Sequence, residues 1–214
     1  MISEPTQRWQ RRKDERPNEI ISAALEVFVE HGYAASKLDD IASKAGISKG
    51  SLYRYFDSKA DLFKEMVKHV VIPEIEKAES TVKEHQGAIS PLINEMVQNW
   101  WQTVGETRIC GIPKLVISEA ANFPELAEFY VNEVIKRGRK LVAVMIKRGI
   151  ESGEFRDIEP QYAARILISP IVFAAIWKES LAPYDDSYDV KQYLSMEMEI
   201  FLRGLSRSSG DVDI

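Results

Sequence analysis

Apolar side chains recur at intervals of three and four residues along nearly the whole chain, and no stretch alternates with a period of two. Ile20, Ile21, Ala24, Leu25, Val27 and Phe28 set the pattern, and Leu62, Phe63, Met66, Val67 and Val70 repeat it. A period near 3.6 places such residues on one helical face, which must be buried against another helix. Punctuation is sparse, with 11 Gly and 9 Pro among 214 residues, too few for a turn-rich all-β chain. The fold class expected is all-α, with about nine helices. No segment repeats at a fixed spacing, which argues against a stacked helical-repeat module.

Local signals place the helix ends. Pro17 suits a first helical turn, and His31-Gly32 ends that helix. Ser36 is read as the N-cap of a short second helix carrying Leu38, Ile41, Ala42 and Ala45 inward, with Asp39 and Asp40 in its first turn. Gly46 stops it, Ser48 caps a third helix from Lys49 to Tyr55, Asp57 or Ser58 opens a fourth, and Pro73 kinks or ends that one. Further helices are expected from Ser90-Pro91 to Val104, Pro113 to Ala121, Phe123-Pro124 to Gly153, Pro160 to Leu181, and onward from a turn at Asp185 to Tyr188 as far as Arg203. The tail from Ser206 to Asp213 is polar and expected to fray.

Several chemistries find no support. Cys110 is the single thiol, so no intrachain disulfide, CxxC pair or multi-cysteine zinc site can form. His31, His69 and His85 lie far apart and outside any HExxH pattern. No glycine-rich phosphate loop is present, so no cofactor is expected, and a helical enzyme is the weaker reading. The longest uncharged, mainly apolar stretch, Ile166 to Trp177, has 12 residues where a bilayer span needs about 18 or more. With a polar N-terminus, this points to a cytoplasmic protein without a membrane partner.

The net charge of −5 would argue against nucleic acid, but it is unevenly spread. Residues 1–72 carry +1 and residues 73–214 carry −6. Lys37 to Lys59 holds five basic residues against three acidic, and Arg8 to Arg16, read as a disordered basic tail, holds five against two. A phosphate backbone responds to charge within a Debye length of about 8–10 Å rather than to the total. Charge alone fits a solvated face equally well.

The segment Ser36 to Phe56 is more informative. Two short helices joined through Ala45-Gly46-Ile47 have the size of a helix–turn–helix, in which the first helix supports a second that enters the major groove. The second helix would present Lys49, Gly50, Ser51, Tyr53 and Arg54 or Tyr55. Short side chains near its start let the backbone approach the bases, and Lys49 can meet phosphate or a guanine edge. Tyr53 and Tyr55 offer hydroxyls, and Lys59 can add a phosphate contact. A plain helical hairpin with the tyrosines in its core satisfies the same pattern.

Residues 14–74 resemble the TetR family of bacterial transcriptional repressors. The likeness rests on Ala23-Ala24, Phe28, Gly32-Tyr33, Ile41-Ala42, Ala45-Gly46-Ile47-Ser48, Gly50-Ser51-Leu52-Tyr53-Arg54-Tyr55-Phe56 and Ser58-Lys59-Ala60-Asp61-Leu62, in order and at the right spacing. It implies a DNA-binding domain over residues 14–74, with the motif at 37–56, and a ligand-binding and dimerisation domain over 75–206. It implies DNA contacts from Ser36, Lys37, Ser48, Lys49, Gly50, Ser51, Tyr53, Tyr55 and Lys59, with phosphate roles for Ser36, the tyrosines and Lys59. Asp39 and Asp40 would repel phosphates and are left out of that set.

Beyond residue 80 the likeness is looser, although Lys114 to Ala120 and Phe123 to Leu126 resemble a subgroup of the family's C-terminal domains. The helix from Pro160 is apolar on nearly all sides, so a second copy of the chain is expected to cover one face, through Ala164, Ile168, Ile171, Ala175, Tyr193, Leu194 and Phe201. A homodimer would set two reading helices about 34–36 Å apart on a near-palindromic operator. Met96, Trp100, Trp101, Cys110, Phe129, Tyr130, Phe173 and Trp177 are the candidate lining of an effector pocket, with Lys114 or Glu119 as a polar anchor, although such a run also fits plain core. The resemblance implies repression relieved by a small apolar or amphipathic effector that shifts the helix starting near Ser58.

Overall fold

The computed structural model describes residues 5–185 and 189–207, and side chains from Arg16 onward. Its helices are α1 (Pro5–His31), α2 (Leu38–Lys44), α3 (Lys49–Leu52), α4 (Lys59–Val70), α5 (Ile72–Glu84), α6 (Ile89–Trp100), α7 (Gly111–Glu119), α8 (Pro124–Tyr130), α9 (Lys136–Glu151), α10 (Pro160–Ser180) and α11 (Val190–Leu205). Only Val71 separates α4 from α5, at the kink expected from Pro73, and a π-turn at Val131–Ile135 joins α8 to α9. The eleven helices therefore make nine rods. Among the described residues there is no strand, only one antiparallel bridge between Phe155 and Ser206.

Two expected ends differ. Pro17 lies inside α1, which continues upstream to Pro5. A proline lacks one amide, and the helix forgoes that single bond rather than starting there. The basic segment read as a tail is thus helical backbone, while the side chains of residues 8–15 lie outside the described residues. So do residues 186–188 of the expected turn and the tail from residue 208.

The chain divides into two compact units. One comprises residues up to Ile72 together with Leu115–Phe129, and the other comprises Pro73–Lys114 and the chain from Tyr130 on. The first packs Phe28, Ile41, Leu52, Leu62, Phe63 and Met66 with essentially no exposure. Tyr33 sits among three rings, 5.5 Å from Phe28, 5.7 Å from Phe63 and 4.7 Å from Phe123 between centroids. These are the tilted and edge-on geometries that aromatic quadrupoles favour. Glu119 Oε1 accepts the Ala34 N–H at 2.9 Å, so the end of α7 is fastened to the loop after α1.

In the second unit α10 is the central rod. Ala163, Ala164, Leu167, Ile171, Ala174 and Ala175 are buried in one core with Ala143, Met145 and Ile146 of α9 and Leu194, Met198 and Phe201 of α11. Gly149 lets α9 meet the ring of Phe155, since a Cβ there would lie 2.2 Å from Phe155 Cδ2. Arg148 donates to the carbonyls of Val82 and His85, and Glu154 accepts from the amides of Ile89 and Ser90. Together they satisfy the end of α5 and the start of α6, where helices leave backbone groups unpaired. One 18-residue window of α10 reaches a mean hydropathy of 1.2, enough by length and composition for a membrane span, which the 12-residue count missed. Its buried face in this core accounts for that hydropathy.

Candidate nucleic-acid interface

The helix–turn–helix forms from a few local preferences. Ile41 and Ala42 anchor α2 in the core. Gly46 adopts φ +66°, a left-handed conformation that a side chain would disfavour. The Ile47 amide then donates back to the Ala42 carbonyl and closes the turn. Ser48 is the N-cap of α3, its hydroxyl accepting the Ser51 N–H at 3.2 Å. α3 is only four residues long, but single hydrogen-bonded turns carry the chain on to Phe56.

Leu52 and Phe56 pin this segment from below. Ser48, Lys49, Gly50, Tyr53 and Arg54 are exposed on the other side, with Ser51 and Tyr55 half-buried. Gly50 is informative because neither backbone nor packing demands it. Its φ is not positive, and a Cβ there would meet nothing within 4 Å. A bare backbone on an otherwise unobstructed surface suits close approach of something outside the molecule.

Two of the expected contact residues are committed elsewhere. Ser36 is 3% exposed, and its hydroxyl donates to the carbonyls of Gly32 and Val27. It closes the end of α1 instead of capping α2, whose N-cap is the exposed Lys37, with no side-chain bond. Lys59 Nζ donates to the carbonyls of Tyr33, Ala34 and Ser36 at 2.7, 3.3 and 3.0 Å, and lies over the Tyr33 ring. An ammonium has three protons, so none is left for phosphate. Partial burial of Lys59 lowers its pKa, against a raising influence from Glu119. Two other cations are paired: Lys44 with Glu26 at 2.6 Å, and Lys49 with Asp39 at 2.9 Å. The Asp39 hydrogen bond and charge raise the pKa of Lys49. Nothing in the sequence pattern signalled that partnership across the turn.

The expected effector lining does not gather as one set. Phe129 belongs to the N-terminal unit, where Lys64 lies 5.9 Å from its ring centre, while the other seven residues lie in the C-terminal unit. There Trp101, Cys110 and Tyr130 are buried, Met96, Trp100 and Trp177 are half-buried, and Phe173 is 56% exposed. The Cys110 thiol donates to Glu179 Oε1 at 2.9 Å, and burial followed by that carboxylate pushes its pKa up to about 12. A thiol so placed is inert. Of the two anchor candidates, Lys114 donates to the Glu179 carbonyl, and Glu119 is bonded to the Ala34 amide.

The expected interface residues need a correction too. Ala164, Ile171, Ala175, Leu194 and Phe201 are buried within the protomer, and Ile168 and Tyr193 are half-buried. The open apolar residues of the same helices are Tyr162, Ile166 and Phe173 on α10 and Met196 and Ile200 on α11. Spacings of four and seven line each set along one stripe.

Residues 20–66 match the profile of the bacterial regulatory proteins of the tetR family, and residues 92–203, over half the chain, match the C-terminal domain of AefR-like transcriptional repressors. The chain belongs to the TetR family. A fatty acid metabolism regulator protein of Bacillus subtilis (strain 168) is 27% identical over 195 residues, 90% of this chain and 98% of that protein. The transcriptional repressor KstR2 of Mycolicibacterium smegmatis is 26% identical over 200 residues, 92% of this chain and 93% of that protein. Among solved structures, FadR from Bacillus subtilis in complex with stearoyl-CoA shares the fold with a TM-score of 0.68 at 23% identity, covering 87% of this chain and 98% of that one. This TetR-family member is a ligand-responsive transcriptional regulator with a DNA-binding helix–turn–helix, and not an enzyme.

Proposed function

We propose that this regulator is a cytoplasmic repressor that holds a near-palindromic operator as a homodimer and releases it on binding an amphipathic effector. The observation that carries the reading is the open face of α3, bare at Gly50 and flanked by Lys49 and Tyr53. Lys37, Ser48 and Ser51 complete the contact set, with Tyr55 at its half-buried edge. The domain limits 14–74 and 75–206 belong to the same proposal, although Leu115–Phe129 packs with the N-terminal unit.

The stripe of Tyr162, Ile166, Phe173, Met196 and Ile200 supports the dimer, because monomers seldom leave contiguous apolar surface in water. A related regulator named for fatty acid metabolism, and a fold neighbour holding stearoyl-CoA, favour a long-chain acyl thioester as effector. α7 is the element suited to carry the signal. It begins in the C-terminal unit, where Lys114 donates to the Glu179 carbonyl, and ends in the N-terminal unit, where Glu119 holds Ala34. An effector can shift the DNA-binding equilibrium only by its difference in affinity for the two states.

The test is selection of duplexes from a random pool, followed by anisotropy titration of the winner with stearoyl-CoA, coenzyme A and stearate. Enrichment of an inverted repeat, and its release by stearoyl-CoA alone, is the expected outcome. A chain that enriches no sequence refutes the DNA reading, and release by none of the three refutes the effector class.

A further inference from the structure

Asp39 stands in the first turn of α2 and Lys49 is the first residue of α3, and their side chains meet at 2.9 Å across the helix–turn–helix. Both are more than half exposed, at 56% and 54%, so the pair does little for the stability of the head. A carboxylate on a surface that faces phosphates also weakens general attraction. Its position is therefore better explained by what it does to Lys49.

A free lysine side chain on this face would settle on any phosphate within reach, whatever the sequence. Held against Asp39, the ammonium has its charge compensated and its position fixed, and it keeps two of its three protons for donation. Guanine presents two acceptors, O6 and N7, in the major groove. Asp39 uses Oδ2 for the lysine, and among the described residues its Oδ1 makes no hydrogen bond. Cytosine offers N4–H to such an acceptor. We propose that Asp39 is a specificity-determining residue of the DNA interface, pairing with Lys49 to form one donor–acceptor unit that reads a G·C pair in the major groove and keeps Lys49 off the phosphates. This rests on the DNA-binding reading above.

The test compares the full-length chain with Asp39→Asn, Lys49→Ala and the double variant. Each is titrated with the duplex selected by the unsubstituted chain and with a scrambled duplex, over a series of salt concentrations. Asp39→Asn is expected to bind the scrambled duplex several-fold more tightly and with a steeper salt dependence, by about one unit for each subunit. Its preference for the selected duplex should fall about tenfold, through loss of discrimination at one G·C position. Lys49→Ala should lose discrimination at that same position, and the double variant should lose no more than Lys49→Ala. The proposal is overturned if Asp39→Asn changes affinity for both duplexes by the same factor, or if the two single variants relax different positions. Failure of the unsubstituted chain to select any duplex would instead overturn the underlying reading. Unchanged circular dichroism and melting, expected for two exposed residues, keep a folding defect apart from these outcomes.

Discussion

Replacing Lys59 by methionine separates a brace from a phosphate contact. The stem is kept and the ammonium is lost, leaving the carbonyls of Tyr33, Ala34 and Ser36 without their donor and Tyr33 without its cation. A hydrogen bond to a charged group contributes about 1.5–3 kcal/mol net. One partly solvated ammonium serves all three carbonyls, so the contributions do not add in full, and about 2–3 kcal/mol is the expected cost. The cation over the Tyr33 ring adds about 0.5–1 kcal/mol at a site this exposed. For a head of this size that is a fall in melting temperature of roughly 10 °C or more, read by circular dichroism. Operator affinity measured well below that temperature should keep its salt dependence. Were Lys59 a phosphate contact, the slope would drop by about 0.9 per subunit, or about 1.8 for a dimer, with melting scarcely altered. That second pattern would refute the brace.

Other consequences are testable on their own terms. Ile166→Glu, on the open stripe of α10, should yield a folded monomer by sedimentation, whereas a persistent dimer would move the interface elsewhere. Gly149→Ala should destabilise by about 1–3 kcal/mol, because its Cβ would collide with the buried Phe155 ring. Gly138→Ala in the same helix meets nothing within 4 Å and should stabilise by about 0.5–1 kcal/mol, so equal effects would dispute the packing described. Burial raises the pKa of Glu197 from 4.5 to about 7, so the folded state holds a proton that the unfolded state has lost between those values. Stability should decline as pH rises through that window, and Glu197→Gln should flatten the decline in urea titrations at pH 5 and pH 8. An unflattened decline would assign it to another group.

Local signals were readable wherever one physical preference decided the outcome. Ser48 as a cap, Gly46 as the turn and the inward stripe of α4 all follow from spacing and backbone preference. The orientation of α10 was not readable. Ala163, Ile166, Leu167, Ile171 and Phe173 are apolar on every side, so the pattern holds no contrast to say that Ile166 and Phe173 face outward. Ser36 and Lys37 are adjacent, and which one caps α2 depends on carbonyls left open at the end of α1. The role of Lys59 depends on three carbonyls more than twenty positions away. Likewise, no local feature announces that Leu115–Phe129 packs with the head, since Glu119 and Phe123 meet partners about ninety positions upstream.

The burial of Cys110 makes the natural chain a ready background for site-directed labelling. Its sulfur is wholly enclosed and bonded to Glu179, so it will not react with a maleimide or a nitroxide reagent at neutral pH. Gly50→Cys would then supply the one reactive handle without any native thiol having to be removed. Space around that position is unobstructed, so the tag leaves the interior undisturbed. Two such tags in a symmetric assembly form a molecular ruler. Pulsed dipolar spectroscopy could follow their separation in solution, with and without a candidate effector, before any operator has been identified.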